Sequence, residues 1–364
     1  MEIPDIEPIE GREFFNLLLW MPNWIGDIIL VLPALQSLRK RFPNAKITLA
    51  LRAPSHELLP GHPAVDAILR MPSGSDTGFF KQIHFARQLQ KYRFDLGVVF
   101  SNSFRSAFLL YISGAKFRLG YNTDGRGIFL THPTQGSPRS KTQYRVDYFF
   151  EVLTPLGLEG PELSFQPFIS LELGKSLDAD LTRLRGNSYN LVIALHPGGS
   201  KFPRRWHSER YGVLCQKLIK EYSAKILILC GSDDEEIAQR IENVCPPNSA
   251  LKLSSLNLQQ TAAAIGQCKL FIGNDSGMMH LAALMKIPIV AIFGPGSATT
   301  TGPYIASEKR VIVTKSYPCS PCRQNFFTEC KPSPHKKPYC IEDISVMDVE
   351  RAVQKMIASG TVKT

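Results

Sequence analysis

Phe271-Ile-Gly-Asn-Asp-Ser-Gly-Met-Met-His280-Leu-Ala-Ala-Leu-Met-Lys-Ile-Pro-Ile-Val290-Ala-Ile-Phe-Gly-Pro-Gly296 reads as strand, tight turn, helix, strand and turn. Lys269–Ile272 is a short, mostly apolar run suited to a buried parallel strand, and Gly273 and Asn274 are expected to break it. Asp275 or Ser276 caps the following helix, whose apolar face is Leu281, Ala282, Leu284 and Met285. Ile287–Phe293 forms the next strand, entered through Pro288, where a missing N–H is tolerated. Ser276-Gly277 at a helix start points free N–H groups at an incoming anion, and Gly277 lets that anion approach the backbone. Met279 and His280, one turn on, reach back toward the same mouth. A capped helix with a buried histidine is the plainer reading of this stretch.

A second anion-ready turn precedes it. His196-Pro-Gly-Gly-Ser-Lys-Phe-Pro-Arg-Arg-Trp206 follows the apolar run Asn190–Leu195. Gly198, Gly199 and Ser200 present N–H groups, and Lys201, Arg204 and Arg205 add charge that grips phosphate oxygens. The Gly-Lys-Ser/Thr ending of a P-loop is missing, so nucleotide hydrolysis is not indicated. Two such turns in one domain point to a diphosphate.

Strands and helices alternate on both sides of these motifs. Helix Ser208–Tyr222, strand Lys225–Cys230, a helix to Val244, strand Leu251–Leu253 and a helix over Asn257–Ile265 fill the second half. In the first half, strand Asn16–Met21, turn Pro22–Asp27, helix Ile28–Phe42 and strand Lys46–Leu51 make a βαβ unit. Strand Ala67–Met71, helix Phe79–Lys91, strand Asp95–Phe100, a helix to Ser113 and strand Lys116–Gly120 continue it. Tyr121–Lys141 reads as a polar surface loop, and Tyr144–Leu156 as helical. The pattern predicts two tandem Rossmann-like, doubly wound α/β domains facing across a cleft, with ligands at the carboxyl edges of the sheets. The expected boundaries are a leader at 1–15, an N-terminal domain at 16–157, a linker at 158–174, a C-terminal domain at 175–345, and a helix and tail at 346–364. The turn Pro22–Asp27 is not a Gly-x-Gly-x-x-Gly fingerprint, which counts against a dehydrogenase.

The 364 residues carry a net charge of +10. Between Asn16 and Gly157, 17 Lys+Arg face 8 Asp+Glu. Such a basic half suggests a polyanionic partner: nucleic acid, a phosphorylated glycolipid or an anionic membrane surface. The basic residues are dispersed and no nucleic-acid recognition motif is present, which argues against a non-catalytic nucleic-acid binder. No apolar run reaches the ~18 residues of a membrane span. The acidic start is unlike a signal peptide, so the expectation is a cytoplasmic protein. Cys215, Cys230, Cys245 and Cys268 read as inert core thiols. Cys319, Cys322, Cys330 and Cys340 crowd one Pro-rich stretch. A closed structural zinc site, a reducible disulfide pair and free thiols all stay open there.

Together these pieces resemble the ADP-heptose:lipopolysaccharide heptosyltransferases, two-domain B-type (GT-B) glycosyltransferases, and most of all the heptosyltransferase II branch. The resemblance rests on Pro22-Asn-Trp-Ile-Gly-Asp27, Asn102-Ser-Phe-Arg-Ser-Ala107, His196-Pro-Gly-Gly with Arg204-Arg-Trp206, Gly231-Ser-Asp233, Asn274-Asp-Ser-Gly-Met-Met-His280 and Gly294-Pro295, in family order over residues 16–345. It implies an inverting transfer of heptose from ADP-L-glycero-D-manno-heptose to a phosphorylated lipid A–Kdo–heptose acceptor. Asp27 is the implied base. Gly198, Gly199, Ser200, Lys201, Arg204, Asp275, Ser276, Gly277 and His280 are the implied donor-diphosphate and sugar contacts, with Asp233 at the ribose and Leu256 on adenine. Asn102, Ser103, Arg105 and Arg126, with Arg118, Arg139 and Lys141 nearby, are the candidates for the acceptor. Arg204 stands where the family carries a lysine, so charge is kept but geometry is not. No Asp-x-Asp lies in the cleft motifs, since Asp178-Ala-Asp180 falls in a helical stretch. Catalysis is therefore expected to need no metal or other cofactor, with cations and helix N-termini neutralising the leaving ADP. An acceptor in the membrane implies peripheral association with the cytosolic face of the inner membrane. Heptosyltransferase I or III, another sugar-nucleotide transferase, and a hydrolysing sugar-nucleotide epimerase of the same fold are the rival readings.

Overall fold

The computed structural model describes residues 8–72, 78–136, 142–158, 160–161, 169, 175–186, 191–322, 324–328 and 330–363. The chain divides into two compact units, Met1–Phe168 and Ile169–Thr364. Most of the expected linker, and Arg139 and Lys141, lie outside the described residues.

The first unit runs β1 (Asn16–Trp20), α1 (Ile25–Arg41), β2 (Lys46–Leu51), β3 (Ala67–Arg70), α2 (Phe79–Gln88), β4 (Leu96–Val99), α3 (Phe104–Ile112), β5 (Phe117–Tyr121), β6 (His132–Thr134) and α4 (Arg145–Glu151). Its six strands are parallel, in the order β3-β2-β1-β4-β5-β6. The order reverses between β1 and β4. The turns leaving those two strands therefore flank the crevice where doubly wound sheets take ligands.

The second unit runs α5 (Lys175–Arg185), β7 (Val192–His196), α6 (Ser208–Tyr222), β8 (Lys225–Leu229), α7 (Glu235–Val244), β9 (Ala250–Leu253), α8 (Leu258–Gly266), β10 (Leu270–Asn274), α9 (Gly277–Leu284), β11 (Ile289–Phe293), α10 (Ala298–Thr301), β12 (Arg310–Thr314), α11 (Tyr339–Glu342) and α12 (Val346–Ala358). Its sheet is also six parallel strands, β12-β11-β10-β7-β8-β9, and reverses between β7 and β10. Every residue of β7, β10 and β11 is buried. That two-sided burial is why these strands read as continuous apolar runs instead of alternating ones.

Gly273 and Asn274 continue β10 instead of breaking it, with Gly273 in register with His196 and Asn274 with Ile292. A Cβ on Gly273 would lie 3.0 Å from the His196 carbonyl oxygen, so the glycine serves close strand approach. Tyr121–Lys141 is not only a loop, because it holds the edge strand β6 and a 3₁₀ turn at Arg126–Phe129. Three residues with a central proline are too short to show a strand period. The helices α10 and α11, four residues each, are likewise too short to show a period, whereas edge strand β12 is a five-residue β-branched run outside the sequence pattern described above. The C-terminal helix α12 starts at a capping box of Ser345 and Asp348 and packs Val349, Val353 and Met356 into the second unit's core. It is therefore part of that unit, not an appended tail.

Candidate active site

At the second unit's switch point one buried side chain holds both anion-ready turns. Asn274, the last residue of β10, is fully buried. Its Nδ2 donates to the carbonyls of Pro197 (2.8 Å) and Gly198 (2.9 Å). Its Oδ1 accepts from the Trp206 N–H and the Tyr211 hydroxyl, both at 3.0 Å. Both ends of the loop from β7 to α6 are thus pinned to β10. At the sequence level Asn274 reads only as a strand breaker and as part of the family motif. The signal was there: a polar residue ending an otherwise apolar buried strand must find partners for its amide.

The loop so held carries the predicted cations. Arg204 Nη1 stands 3.3 Å from Asp275 Oδ2, an ion pair without hydrogen-bond alignment. Asp275 is buried, and burial raises its pKa while the Arg204 charge pulls it back down. Among the described residues its buried Oδ2 has no hydrogen-bond donor. A Cβ on Gly296 would fall 2.1 Å from that oxygen, so only glycine leaves it room. Arg205 turns the other way: Nε donates to the Gly199 carbonyl (2.7 Å) and Nη1 pairs with Asp234 Oδ1 (2.8 Å). Asp234 is the acid that packs on this loop. Asp233 is exposed, while Asp234 is buried so close to Gly198 that a Cβ there would meet it at 1.9 Å.

Ser276 occupies the cap position of α9, but its hydroxyl makes no cap bond. It lies 3.3 Å from His196 Nδ1 instead. Burial, and then the Arg205 charge, push the His196 pKa down to about 4, so the ring is neutral at pH 7. The N–H groups at the start of α9 therefore keep no side-chain cap, which suits an anion. Met279 and His280 are buried and do not reach the mouth. Burial holds His280 at about 4, and among the described residues its Nδ1 has no hydrogen-bond partner. Ser200 and Lys201 are exposed, and Leu256 is half-buried beside Ser255, which has positive φ.

The sequence showed nothing of what lies behind the loop. Lys337 Nζ donates to the Arg205 carbonyl (2.7 Å) and sits 3.9 Å over the Phe202 ring. Burial and the nearby Arg205 bring its pKa down to about 8. Glu342 accepts from Ser333, His207, Arg210 and His335. Burial works against its charge, but these partners hold it at about 2. The ligand atoms of His207, His335 and Glu342 lie within 4.8 Å of one another, a metal-compatible grouping. Arg210 already neutralises the carboxylate, and an ion there would have to compete with it.

In the first unit, α1 begins at Ile25, so Asp27 lies in the helix's first turn and not at its cap. It is half-buried, beside the β1 exit. Ser103 caps α3 by accepting the Ser106 N–H at 3.1 Å. Arg126 corrects an expectation. It is fully buried, and its guanidinium donates to the carbonyls of Tyr121 (2.6 Å) and Ser101 and to Asn102 Oδ1 (3.0 Å). It shapes the turn after β4 instead of meeting a ligand. Arg118 is likewise committed, to the carbonyls of Phe129 and Ala115. Arg105 is exposed, and its charge acts on Arg52, whose pKa is lowered by burial first and by Arg105 second. Two neighbouring guanidiniums of one sign make an anion-ready spot. Arg52 was missed because it follows β2 outside any motif.

Glycosyltransferase family 9 (heptosyltransferase) matches residues 82–331, well over half of the chain. The lipooligosaccharide heptosyltransferase 2 of Haemophilus influenzae is 26% identical over 314 residues, covering 82% of this chain and 88% of that one. The solved structure of Escherichia coli ADP-heptose LPS heptosyltransferase II matches with a TM-score of 0.74 at 21% identity, covering 95% of this chain and 99% of that one. A glycosyltransferase family 9 structure from Veillonella parvula DSM 2008 matches with a TM-score of 0.80 at 21% identity, covering 95% and 98%. The last two similarities speak for the fold. The family match, spanning the turn after β4, the loop after β7 and the start of α9, identifies the chain as a member of glycosyltransferase family 9, the heptosyltransferases.

Proposed function

We propose that the chain moves heptose from ADP-L-glycero-D-manno-heptose to the phosphorylated inner core of lipopolysaccharide, as a heptosyltransferase II-like enzyme. The observation that carries the donor half is the Asn274 clamp. It gathers the Gly198–Ser200 turn, Arg204 and the start of α9 at one switch point. The diphosphate sits on those amides with Lys201 and Arg204 as its cations. Asp275 holds sugar hydroxyls through its buried oxygen, while Asp233 and Leu256 flank the nucleoside.

Asp27 takes the proton of the acceptor hydroxyl as that oxygen attacks the anomeric carbon. The bond to the diphosphate breaks on the opposite face, ADP leaves with the electron pair, and the configuration inverts. Base catalysis of this kind contributes about 10²–10⁴-fold. The loop cations neutralise the leaving ADP, so the reaction runs without a metal at the diphosphate. Asn102, Ser103 and Arg105, joined by Arg52, receive the anionic acceptor, and Arg126 positions Asn102. No described helix is long and apolar enough to cross a membrane, so contact with the lipid acceptor is peripheral in this reading.

The test is ADP release from ADP-heptose with a heptose-bearing Kdo–lipid A acceptor, run with and without a brief chelator exposure. Asp27→Ala should bind donor and lose at least ~10²-fold in kcat. Turnover by Asp27→Ala at the wild-type rate would remove the base. Chelator-sensitive turnover within seconds would remove the metal-free mechanism.

A further inference from the structure

The first unit carries an apolar strip beside the turn after β4. Phe79, Phe80, Phe104, Tyr111 and Ile128 are all exposed, Phe80 by 85% and Ile128 by 77%. They come from α2, α3 and the 3₁₀ turn Arg126–Phe129, yet the aromatic rings form one run. The Phe79 ring lies 6.3 Å from Phe80 and stacks on Phe108 at 6.0 Å. Phe104, Phe108 and Tyr111 all meet Phe129, at 5.0, 5.2 and 5.8 Å between centroids. Ile128 precedes that shared ring in the chain. A contiguous exposed apolar strip marks an interaction surface, where singly scattered apolar residues would not.

The strip is bordered by cations. Arg105 lies over the Phe79 ring at 5.5 Å, and Arg118 over Tyr111 at 5.3 Å. Arg87 and Lys116 are exposed and line an open cavity of about 520 Å³ with Tyr111 and Arg118. Between Gly78 and Phe129 eight Lys+Arg face two acids, Asp95 and Asp124. Asp95 is spent inward, accepting from the Phe15 and Asn16 N–H groups at 2.7 and 3.0 Å. Asp124 acts on the buried Arg126 beside it.

Aromatic rings with excess positive charge suit a headgroup layer that holds anionic lipids: rings enter the interface and Lys or Arg meet the phosphates. A second copy of the chain fits poorly, since it would bring the same cations face to face. Single-stranded nucleic acid also fits poorly, because Phe79, Phe108 and Phe129 pack on one another and are not splayed as platforms for bases.

We propose that the face made by α2, α3 and the 3₁₀ turn is a membrane-docking surface, with Phe80 and Ile128 entering the headgroup layer of an anionic bilayer and Arg87, Arg105 and Lys116 meeting its phosphates. Arg105 belongs both to this face and to the turn after β4, so docking sets the acceptor turn at the lipid surface. That delivery step rests on the acceptor reading above, whereas the docking surface does not.

The first test is flotation of the full chain with vesicles of phosphatidylglycerol and phosphatidylethanolamine in equal parts, and with vesicles of phosphatidylcholine. Wild type should bind the anionic vesicles at least ~10-fold more tightly and lose most of that preference in high salt. Phe80→Ser combined with Ile128→Ser should weaken binding at least ~10-fold, since two apolar side chains no longer enter the interface. Lys116→Gln should weaken it about fivefold, the worth of one cation near an anionic surface. These substitutions fall on exposed positions, so the variants should unfold at the wild-type temperature. Absence of vesicle binding at low ionic strength overturns the surface, as does double-variant binding at the wild-type level. A dimer or an oligonucleotide complex that the double variant abolishes, with vesicle binding unchanged, overturns it as well and names the occupant.

Delivery is read from turnover with ADP-heptose. The double variant should match wild type on a deacylated, water-soluble acceptor and fall about tenfold on the lipid-bearing acceptor held in vesicles. Equal turnover by the two proteins on the vesicle-held acceptor overturns the delivery role alone. Wild type that docks through this face and transfers heptose to neither acceptor defeats the proposed function and leaves the surface standing.

Discussion

The two sheets share one strand order, but their switch points are locked by side chains of opposite kind. In the first unit the lock is Arg126, a donor-only cation with two carbonyls and the Asn102 amide oxygen turned inward onto it. In the second it is Asn274, neutral, with its donors and its acceptor all engaged. A guanidinium leaves a fixed positive charge in the wall behind its turn. A carboxamide adds none of its own, so the second site's outward grip comes from loop amides, Arg204 and Lys201, with the buried Lys337 the cation behind the loop. The first unit thus offers a diffuse positive wall, suited to an acceptor carrying several charges, and the second a directed grip, suited to one diphosphate.

The largest effect should come from Asn274→Ala. It strands two carbonyls, the Trp206 N–H and the Tyr211 hydroxyl in a buried place. At about 1–3 kcal/mol per unmet group, and with water relieving part of it, the loss in unfolding free energy should be roughly 3–5 kcal/mol. Asn274→Asp keeps the two bonds accepted by Oδ1 but sets a carboxylate against two carbonyls. It should be nearly as unstable and bind ADP worse than any loop variant that still folds. Urea unfolding and calorimetry with ADP check both. A cost below about 1 kcal/mol would mean that the loop holds itself and that the contrast between the locks is decorative.

Arg126→Met should cost roughly 2–4 kcal/mol, since its three acceptors lose their donors and water reaches few of them. Its kinetic signature should be a higher acceptor KM with the donor KM unchanged. Arg126→Lys, which keeps the charge and loses the fork, should recover part of the acceptor affinity and little of the stability. A variant that raises the donor KM instead would reverse the assignment of the two switch points.

These residues also mark where reading the sequence stopped. The alternation of apolar runs with helix-period segments was enough for two doubly wound sheets, because buried parallel strands leave a local trace. Turns at strand ends were legible for the same reason, so Gly198, Ser276 and Asp275 could be named together. Partners more than a hundred residues apart leave none: Gln324 on Arg204, and Lys337 and Glu342 behind the loop. Exposure was equally invisible. Asp233 and Asp234 are adjacent and alike in type, and only packing against Gly198 tells them apart. Arg126 and Arg105 looked equivalent as basic residues, yet one is inside and one outside.

Burial also gives the units different acid sensitivity, the smallest of the expected effects. In the first unit burial depresses the pKa of His62 to about 4, and in the second both His196 and His280 stand near 4. His207 in the second unit is shifted the same way, by burial against the pull of Glu342. For a histidine the unfolded value is ~6.5, so as pH falls the unfolded chain takes up the proton first. The stability tied to each buried ring is therefore complete above pH ~6.5 and drains away as pH falls toward about 4. Each ring should be worth on the order of 1 kcal/mol at pH 5. Glu342, held at about 2, loses its contribution as pH falls from its ordinary value of about 4.5 toward 2, below the window from pH 6.5 to 5 in which the histidines act. Hydrogen exchange of β1 and β4 against β7 and β10, corrected for intrinsic rates, should show the second unit losing about twice as much protection as the first across that window. His280→Gln should flatten the second unit's slope and leave the first untouched. Equal slopes in the two units would mean that protons or water reach His196 or His280 in the folded chain, and that the second site is less tightly closed than the Asn274 clamp implies.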